Sequence, residues 1–295
     1  MNSYIQILLA DLFLAGVFVL QKKYQKLAGT SLRAGLLYNT MMGIVGIFAY
    51  LFINQFEIHV TGVSIVLATA YNITCLMYIF AGFKIMERGN MAHYTLFLMS
   101  GGMTIPYVWG VIFLDEPLTW MRTLGLLLIV AAIIFSNSGG RRPDKKTMLL
   151  CIATFFLNGV VSVISKTHQI HPVSAVVSSS DFAFWVMVSK AVCCMAILLI
   201  LTQKQKKEET DVVPEKFPIK AMILVVIFAG VMDALTFMLQ LNGATQLPAS
   251  VLYPLITGGS IILSTLGGVL VYREKLSGRQ WAGIIICFAG TLLFL

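Results

Sequence analysis

Hydrophobic residues run in blocks of about twenty along this chain, the length of helix that crosses the hydrocarbon of a bilayer. Ten such blocks are legible, at roughly 4–20, 34–54, 62–82, 92–113, 120–136, 147–165, 182–201, 219–240, 249–271 and 279–295. The two longest breaks, Ser138–Lys146 and Thr202–Ile219, are polar or charged and too small to hold a soluble domain. The pattern is clearest in Pro248–Leu295, where two blocks flank the polar hairpin Tyr272-Arg273-Glu274-Lys275-Leu276-Ser277. The first of them carries Ser250, Tyr253, Thr257, Ser260 and Ser264 at steps of three and four, which puts the hydroxyls on one side of a helix. In a membrane that side must meet protein or water, because an unsatisfied polar group in hydrocarbon is costly. The expected fold is an all-α membrane protein of ten transmembrane helices.

Composition agrees: 58% of residues are hydrophobic, 12% are charged and the mean hydropathy is +0.86, which excludes a soluble domain of this length. A net charge of +8 would suit nucleic acid, but the basic residues sit in short clusters between apolar blocks, so no nucleic-acid partner is expected. Those clusters set topology instead. Lys22, Lys23, Lys26 and Arg33, then Arg141 to Lys146, then Arg273, Lys275 and Arg279 follow odd-numbered spans. Breaks after even-numbered spans hold only Arg122 and Lys166, and Lys190 lies inside a span. The positive-inside rule then places the odd breaks in the cytoplasm and both termini outside, in a multi-pass protein of the cytoplasmic (cell) membrane. The first block opens at Tyr4 with no basic segment before it and reads as a retained helix, not a signal peptide. Cys75, Cys151, Cys193, Cys194 and Cys287 all fall inside blocks and read as buried thiols.

The chain also repeats itself. Laying the fourth and fifth spans on the ninth and tenth aligns Gly101 with Gly259, Gly110 with Gly268, Glu116 with Glu274, Leu118 with Leu276 and Gly125 with Gly283. Laying the first span on the sixth aligns Gly16 with Gly159 and Lys23 with Lys166. The expected organisation is a five-helix repeat over residues 1–137, a basic linker at 138–146 and a second five-helix repeat over 147–295. Five is odd, so the two repeats are inserted in opposite senses. Inverted repeats are the architecture of secondary transporters, with the substrate near the bilayer midplane where the halves meet.

The two five-helix halves, the Gly-plus-Lys ending of each first helix and the Glu-x-Leu-(Thr/Ser) hairpin before a Gly-containing helix resemble the drug/metabolite transporter superfamily, in its EamA-like branch. The resemblance covers nearly the whole chain. It implies a central cavity built from helices one, three, four, six, eight and nine, with five and ten in support. It implies a transport class but no particular substrate. Characterised members often carry both termini in the cytoplasm, the reverse of the orientation the charges indicate.

Ionisable groups inside spans are expensive and draw attention first. Asp11 lies near the middle of the first span and Asp233 within the eighth, where Asp233, Thr236 and Gln240 share a face; Lys190 lies in the seventh. Each acid reads as a proton- or cation-coupling site, as a group orienting substrate, or as the permanent partner of Lys190. The substrate-binding candidates are Asp11, Tyr71, Asn72, Tyr78, Tyr94, Asn158, Ser162, Asp233, Thr236, Gln240, Tyr253 and Thr257. Such a set suits a small polar or zwitterionic organic molecule held by hydrogen bonds and ring contacts. Their bland reading is equally available: hydroxyls bonded to their own helix and tyrosine rings at headgroup level.

Other features read as structural. Glu116 and Glu274 sit in hairpins as turn chemistry, Ser277 and Gln280 make a capping box, and Asp181 caps the seventh helix. His168-x-x-His171 has no third ligand beside it, so no metal is expected. Neither a nucleotide loop nor a nucleophile elbow is legible, so no enzyme activity, ATP drive or cofactor is expected. The expected function is a secondary active transporter of a small polar organic metabolite, an amino acid or similar, drug-like or cationic molecules included. It would work by alternating access and couple to protons through Asp11 or Asp233, as a monomer or homodimer in the lipid bilayer. The alternatives are a flippase for a lipid-linked metabolite and a non-transporting membrane scaffold.

Overall fold

The computed structural model describes residues 2–88, 91–137, 143–172, 175–207, 219–273 and 275–295. Glu274, Lys216 and most of the basic linker, including Arg141 and Arg142, lie outside the described residues. Among the described residues the chain forms ten α-helices and no strand: α1 Ser3–Ala28, α2 Leu32–Ile53, α3 Gly62–Glu87, α4 Met91–Phe113, α5 Trp120–Asn137, α6 Lys145–Ile170, α7 Ser179–Lys207, α8 Ile219–Gln246, α9 Ala249–Tyr272 and α10 Gly278–Leu292. Eight are long and apolar enough to cross a membrane; α5 and α10, of 18 and 15 residues, are the short ones.

Short polar side chains start these helices by accepting N–H groups that have no partner inside the helix. Asn2, Ser31 and Thr61 do so for α1, α2 and α3, and Ser277 and Gln280 form the capping box of α10. Asp144 starts α6; hydrogen bonds from Thr147, with Arg88 3.5 Å away, hold its carboxyl below the usual carboxylate range. At α7 the expected cap is corrected. The hydroxyl of Ser178 accepts from Asp181 N–H at 3.1 Å, and Asp181 lies one turn inside, where its buried carboxylate accepts from Ser178 Oγ and Asn54 Nδ2 and faces His59 Nδ1.

Several helices outrun their hydrophobic blocks. Helix α1 continues to Ala28 and α6 to Ile170, since Lys, Gln and Thr end the apolar run without ending helix geometry. Lys166 is thereby corrected from a loop cation to a helical one, only 5% exposed.

In the packed molecule α1 lies against α8 and α9, and α6 lies against α3 and α4. Helices α2 and α7 pair on one flank, and α5 and α10 on the other. Small residues set the closest crossings. A Cβ at Gly101 would overlap the Phe155 carbonyl where α4 crosses α6, and one at Gly43 would sit 2.9 Å from the Ala191 nitrogen where α2 crosses α7. Outward faces are apolar: Leu8 and Leu12 are 63% and 55% exposed while Asp11, between them, is 2% exposed. An apolar exterior of this extent suits lipid, not water. One end of the bundle carries the α1 N-terminus and the α8–α9 turn; the opposite end carries the α9–α10 connection.

Candidate functional site

A cavity of about 410 Å³ lies between α1, α8 and α9 on one side and α3, α4 and α6 on the other, with α2 and α7 completing its wall. That is the size range of small-molecule sites. From α3 it takes Tyr71, Asn72 and Tyr78, from α6 Asn158 and Ser162, from α8 Asp233, Thr236 and Gln240, and from α9 Tyr253 and Thr257. Lys190 reaches it from α7. Two sequence candidates are elsewhere. Asp11 does not line the cavity: its carboxylate sits against Gly259 on the flank of α9, in a notch a Cβ would fill, and its buried Oδ1 has no hydrogen-bond partner. Tyr94 is also absent from the lining and packs its ring on Gly82 between α4 and α3.

The lining polar groups are held in place by backbone. Pro106 interrupts α4 and has no N–H for the carbonyl of Gly102 one turn earlier. Ser162 Oγ donates to that carbonyl at 3.1 Å, and Asn158 Nδ2 donates to Leu98 O at 2.7 Å. Asn72 Nδ2 donates to Val186 O at 2.8 Å, locking α3 to α7, and Tyr253 hydroxyl donates to Ser162 O at 2.5 Å. Removing the Ser162 hydroxyl strands a carbonyl in the bundle. Ser162→Ala is therefore expected to destabilise the protein by about 1–3 kcal/mol, read by thermal or denaturant unfolding in detergent.

One ion pair faces this space: Lys190 Nζ and Asp233 Oδ2 are 3.2 Å apart, with side chains 20% and 23% exposed. Of the two candidate acids, Asp233 is thus the partner of Lys190. Rings of Tyr71 and Phe237, centroids 5.7 Å apart, form an aromatic wall beside it. The formal charge of the lining is balanced, and its neutral part sets amides, hydroxyls and rings among aliphatic side chains such as Leu76, Val161 and Ile256.

Toward the α8–α9 turn the cavity ends on packed side chains. Ile7 of α1, Met103 and Tyr107 of α4, Leu247 after α8, and Leu252 and Tyr253 of α9 form one buried cluster there. Ala68 of α3 and Phe237 and Leu241 of α8 belong to a second. Toward the opposite end the lining continues past Phe18, Ile79 and Cys194, and the remaining core cluster there joins only α1, α2 and α8.

The α9 hydroxyl stripe divides. Tyr253, Thr257 and Ser260 line the cavity; Ser264 faces a smaller pocket of about 180 Å³ against α4, α5 and α10; Ser250 is buried at the helix start. Asn39 of α2, Cys75 of α3 and Ser165 of α6 also line the cavity, although no pattern in the sequence marks them as a group. An intramembrane asparagine is a signal for the first of these. His168 is spoken for: it stacks on Phe182 at 3.7 Å and meets Ser64 Oγ at 2.9 Å. Among the described residues no three His, Cys, Asp or Glu side chains converge on a metal-sized site.

Residues 145–295, just over half of the sequence, match the EamA-like transporter family. The chain belongs to that family. EamA-like proteins are part of the drug/metabolite transporter superfamily, so this is a multi-pass membrane transporter of that type. No curated protein matches it in sequence. A crystal structure of a protein 15% identical in sequence covers 97% of both chains with a TM-score of 0.73, a similarity of fold.

Proposed function

We propose that this EamA-like transporter is a secondary carrier for a small polar, net-neutral or zwitterionic organic molecule, moved by alternating access of the central cavity. The cavity itself carries this reading: about 410 Å³, closed on packed side chains at the α8–α9 end, with amides, hydroxyls, rings and one ion pair set into an otherwise aliphatic lining. Lys190 suits a carboxylate and Asp233 an ammonium group, while Tyr71, Phe237 and Tyr253 suit an apolar or cationic body between them. The inverted five-helix repeats are part of the proposal. Exchanging α1 with α6, α3 with α8 and α4 with α9 turns the most extensive pairings into one another: α1 on α8 becomes α6 on α3, and α1 on α9 becomes α6 on α4. With the Lys- and Arg-rich breaks in the cytoplasm, the closed α8–α9 end faces outward and the site is served from inside.

Proton coupling is assigned to Asp11, because Asp233 already has its cation and Asp11 is the buried acid without one. Purified protein in liposomes, screened first by thermal shift against amino acids, quaternary amines and neutral metabolites, tests the class. Stabilisation by zwitterions with saturable uptake supports it; binding of lipid-linked molecules alone would replace it by a flippase. In the same vesicles Asp11→Asn is expected to flatten the pH dependence of uptake at least about tenfold across two pH units, since a carboxylate that is not titrated cannot carry the driving proton. Uptake by Asp11→Asn with the wild-type pH profile would remove Asp11 from the coupling.

A further inference from the structure

Helices α8 and α9 meet at Leu247-Pro248, a break with no ordinary cap. Pro248 precedes α9 without a side-chain hydrogen bond to it, so the first N–H groups of α9 need another acceptor, as the last carbonyls of α8 need a donor. Both are supplied by charges from distant parts of the chain. Glu116, just after α4 and more than 130 residues away in sequence, accepts from Ala249 N–H at 2.6 Å and Ser250 N–H at 2.7 Å through its two carboxylate oxygens. Lys166 of α6 donates to Ala244 O at 2.6 Å and to Leu247 O at 2.7 Å. Each charge sits at the helix end whose dipole it complements: the carboxylate at the start of α9, the ammonium at the end of α8. Glycine makes the room. A Cβ on Gly110 would lie 2.6 Å from Glu116 Oε2, so the carboxylate folds back over α4 only because residue 110 has no side chain.

The four bonds surround the packed floor of the cavity. Glu116 fixes the start of α9 and with it Leu252 and Tyr253, while Lys166 fixes the end of α8 beside Leu247. Ser3 Oγ donates to Gln246 Oε1 at 2.5 Å and adds the start of α1 to the same junction. Separating α4 and α6 from α8 and α9 at this end would strand a carboxylate, an ammonium and four backbone groups, so opening requires water to reach them first. Lys23, which the repeat lays on Lys166, is exposed at the opposite end.

We propose that Glu116 and Lys166 form a two-sided latch across the α8–α9 turn and act as the positioning residues that hold this end of the cavity shut. The latch rests on the carrier reading, and a sided accessibility measurement separates the two. Cys75 and Cys194 line the cavity and serve as native reporters, with Cys75→Ser/Cys194→Ser as the blank. A small, charged, membrane-impermeant methanethiosulfonate is applied to right-side-out and inside-out vesicles. Wild-type protein is expected to label from the face opposite the α8–α9 turn only. Glu116→Gln and Lys166→Met are expected to label from the α8–α9 face at least about fivefold faster than wild type, and Lys166→Arg, which keeps charge and donors, at the wild-type rate. Should Glu116→Gln not fold, Lys166→Met against Lys166→Arg carries the comparison. Equal labelling of wild type from both faces would overturn the closed cavity of the carrier reading. One-sided labelling in wild type that stays one-sided in the folded variants would overturn the latch alone.

Discussion

Gly101→Ala is expected to be the most damaging single-methyl change in the molecule, costing at least about 2–3 kcal/mol and reducing the yield of folded protein. The added carbon would overlap the Phe155 carbonyl, which is backbone and cannot rotate out of the way as a side chain can. Relief requires α6 to move away from α4. Asn158 and Ser162 would move with it, so their bonds to Leu98 O and Gly102 O would be lost together. Gly62, where nothing lies within 4 Å of the same added carbon, is the control: Gly62→Ala should be nearly silent. Unfolding of both variants in detergent decides it. A Gly101→Ala protein within about 0.5 kcal/mol of wild type would mean that α4 and α6 do not cross at this distance.

Lys190→Met is expected to have the second large effect, and to separate structure from transport. It leaves the Asp233 carboxylate without its cation in a mostly apolar site, a loss of about 3 kcal/mol, at the low end for buried pairs because both groups keep about a fifth of their surface exposed. Asp233→Asn should cost a similar amount by stranding the ammonium. The double variant Lys190→Met/Asp233→Asn removes both charges and is expected to recover most of the stability, because two well-packed neutral side chains need no ion partner. Uptake should not recover with it if the pair receives the two ends of a zwitterion; a fall of more than about tenfold, or 1.4 kcal/mol, should persist in the double variant. A double variant with both stability and uptake restored would make the pair a helix tie and nothing more.

Much of the fold is legible in the sequence because hydropathy is a local property. A block of about twenty apolar residues identifies a crossing wherever its neighbours lie, and helical steps of three and four identify a face. Tyr253 and Thr257 fall together by that spacing, as do Asp233, Thr236 and Gln240, and they do line one cavity. The same reasoning puts Asp11 and Tyr94 in that group, and they lie outside it. An acid at midspan and a hydroxyl-bearing ring within a span are the kinds of residue that line cavities. What separates these two is the rotation of α1 and α4 about their own axes, which Gly259 and Gly82 set by admitting a carboxylate and a ring. Nothing within α1 encodes where α9 offers a gap.

Partnership is less legible still. Two acids and one lysine inside spans allow two pairings, and only the packing of α7 beside α8 selects Asp233 at 3.2 Å from Lys190. Glu116 reads as turn chemistry because its sequence neighbours are a turn; its carboxylate in fact serves Ala249 and Ser250 across the bundle. Lys166 reads as a loop cation because hydropathy ends where charge begins, although helix geometry does not. From residues alone come the membrane class, the number of helices and most of the polar side chains around the cavity, since each depends on what lies within a turn or two along the chain. Which acid has a cation, which is left without one and which end of the cavity is shut are decided by tertiary packing, because those depend on atoms brought together from distant parts of the chain.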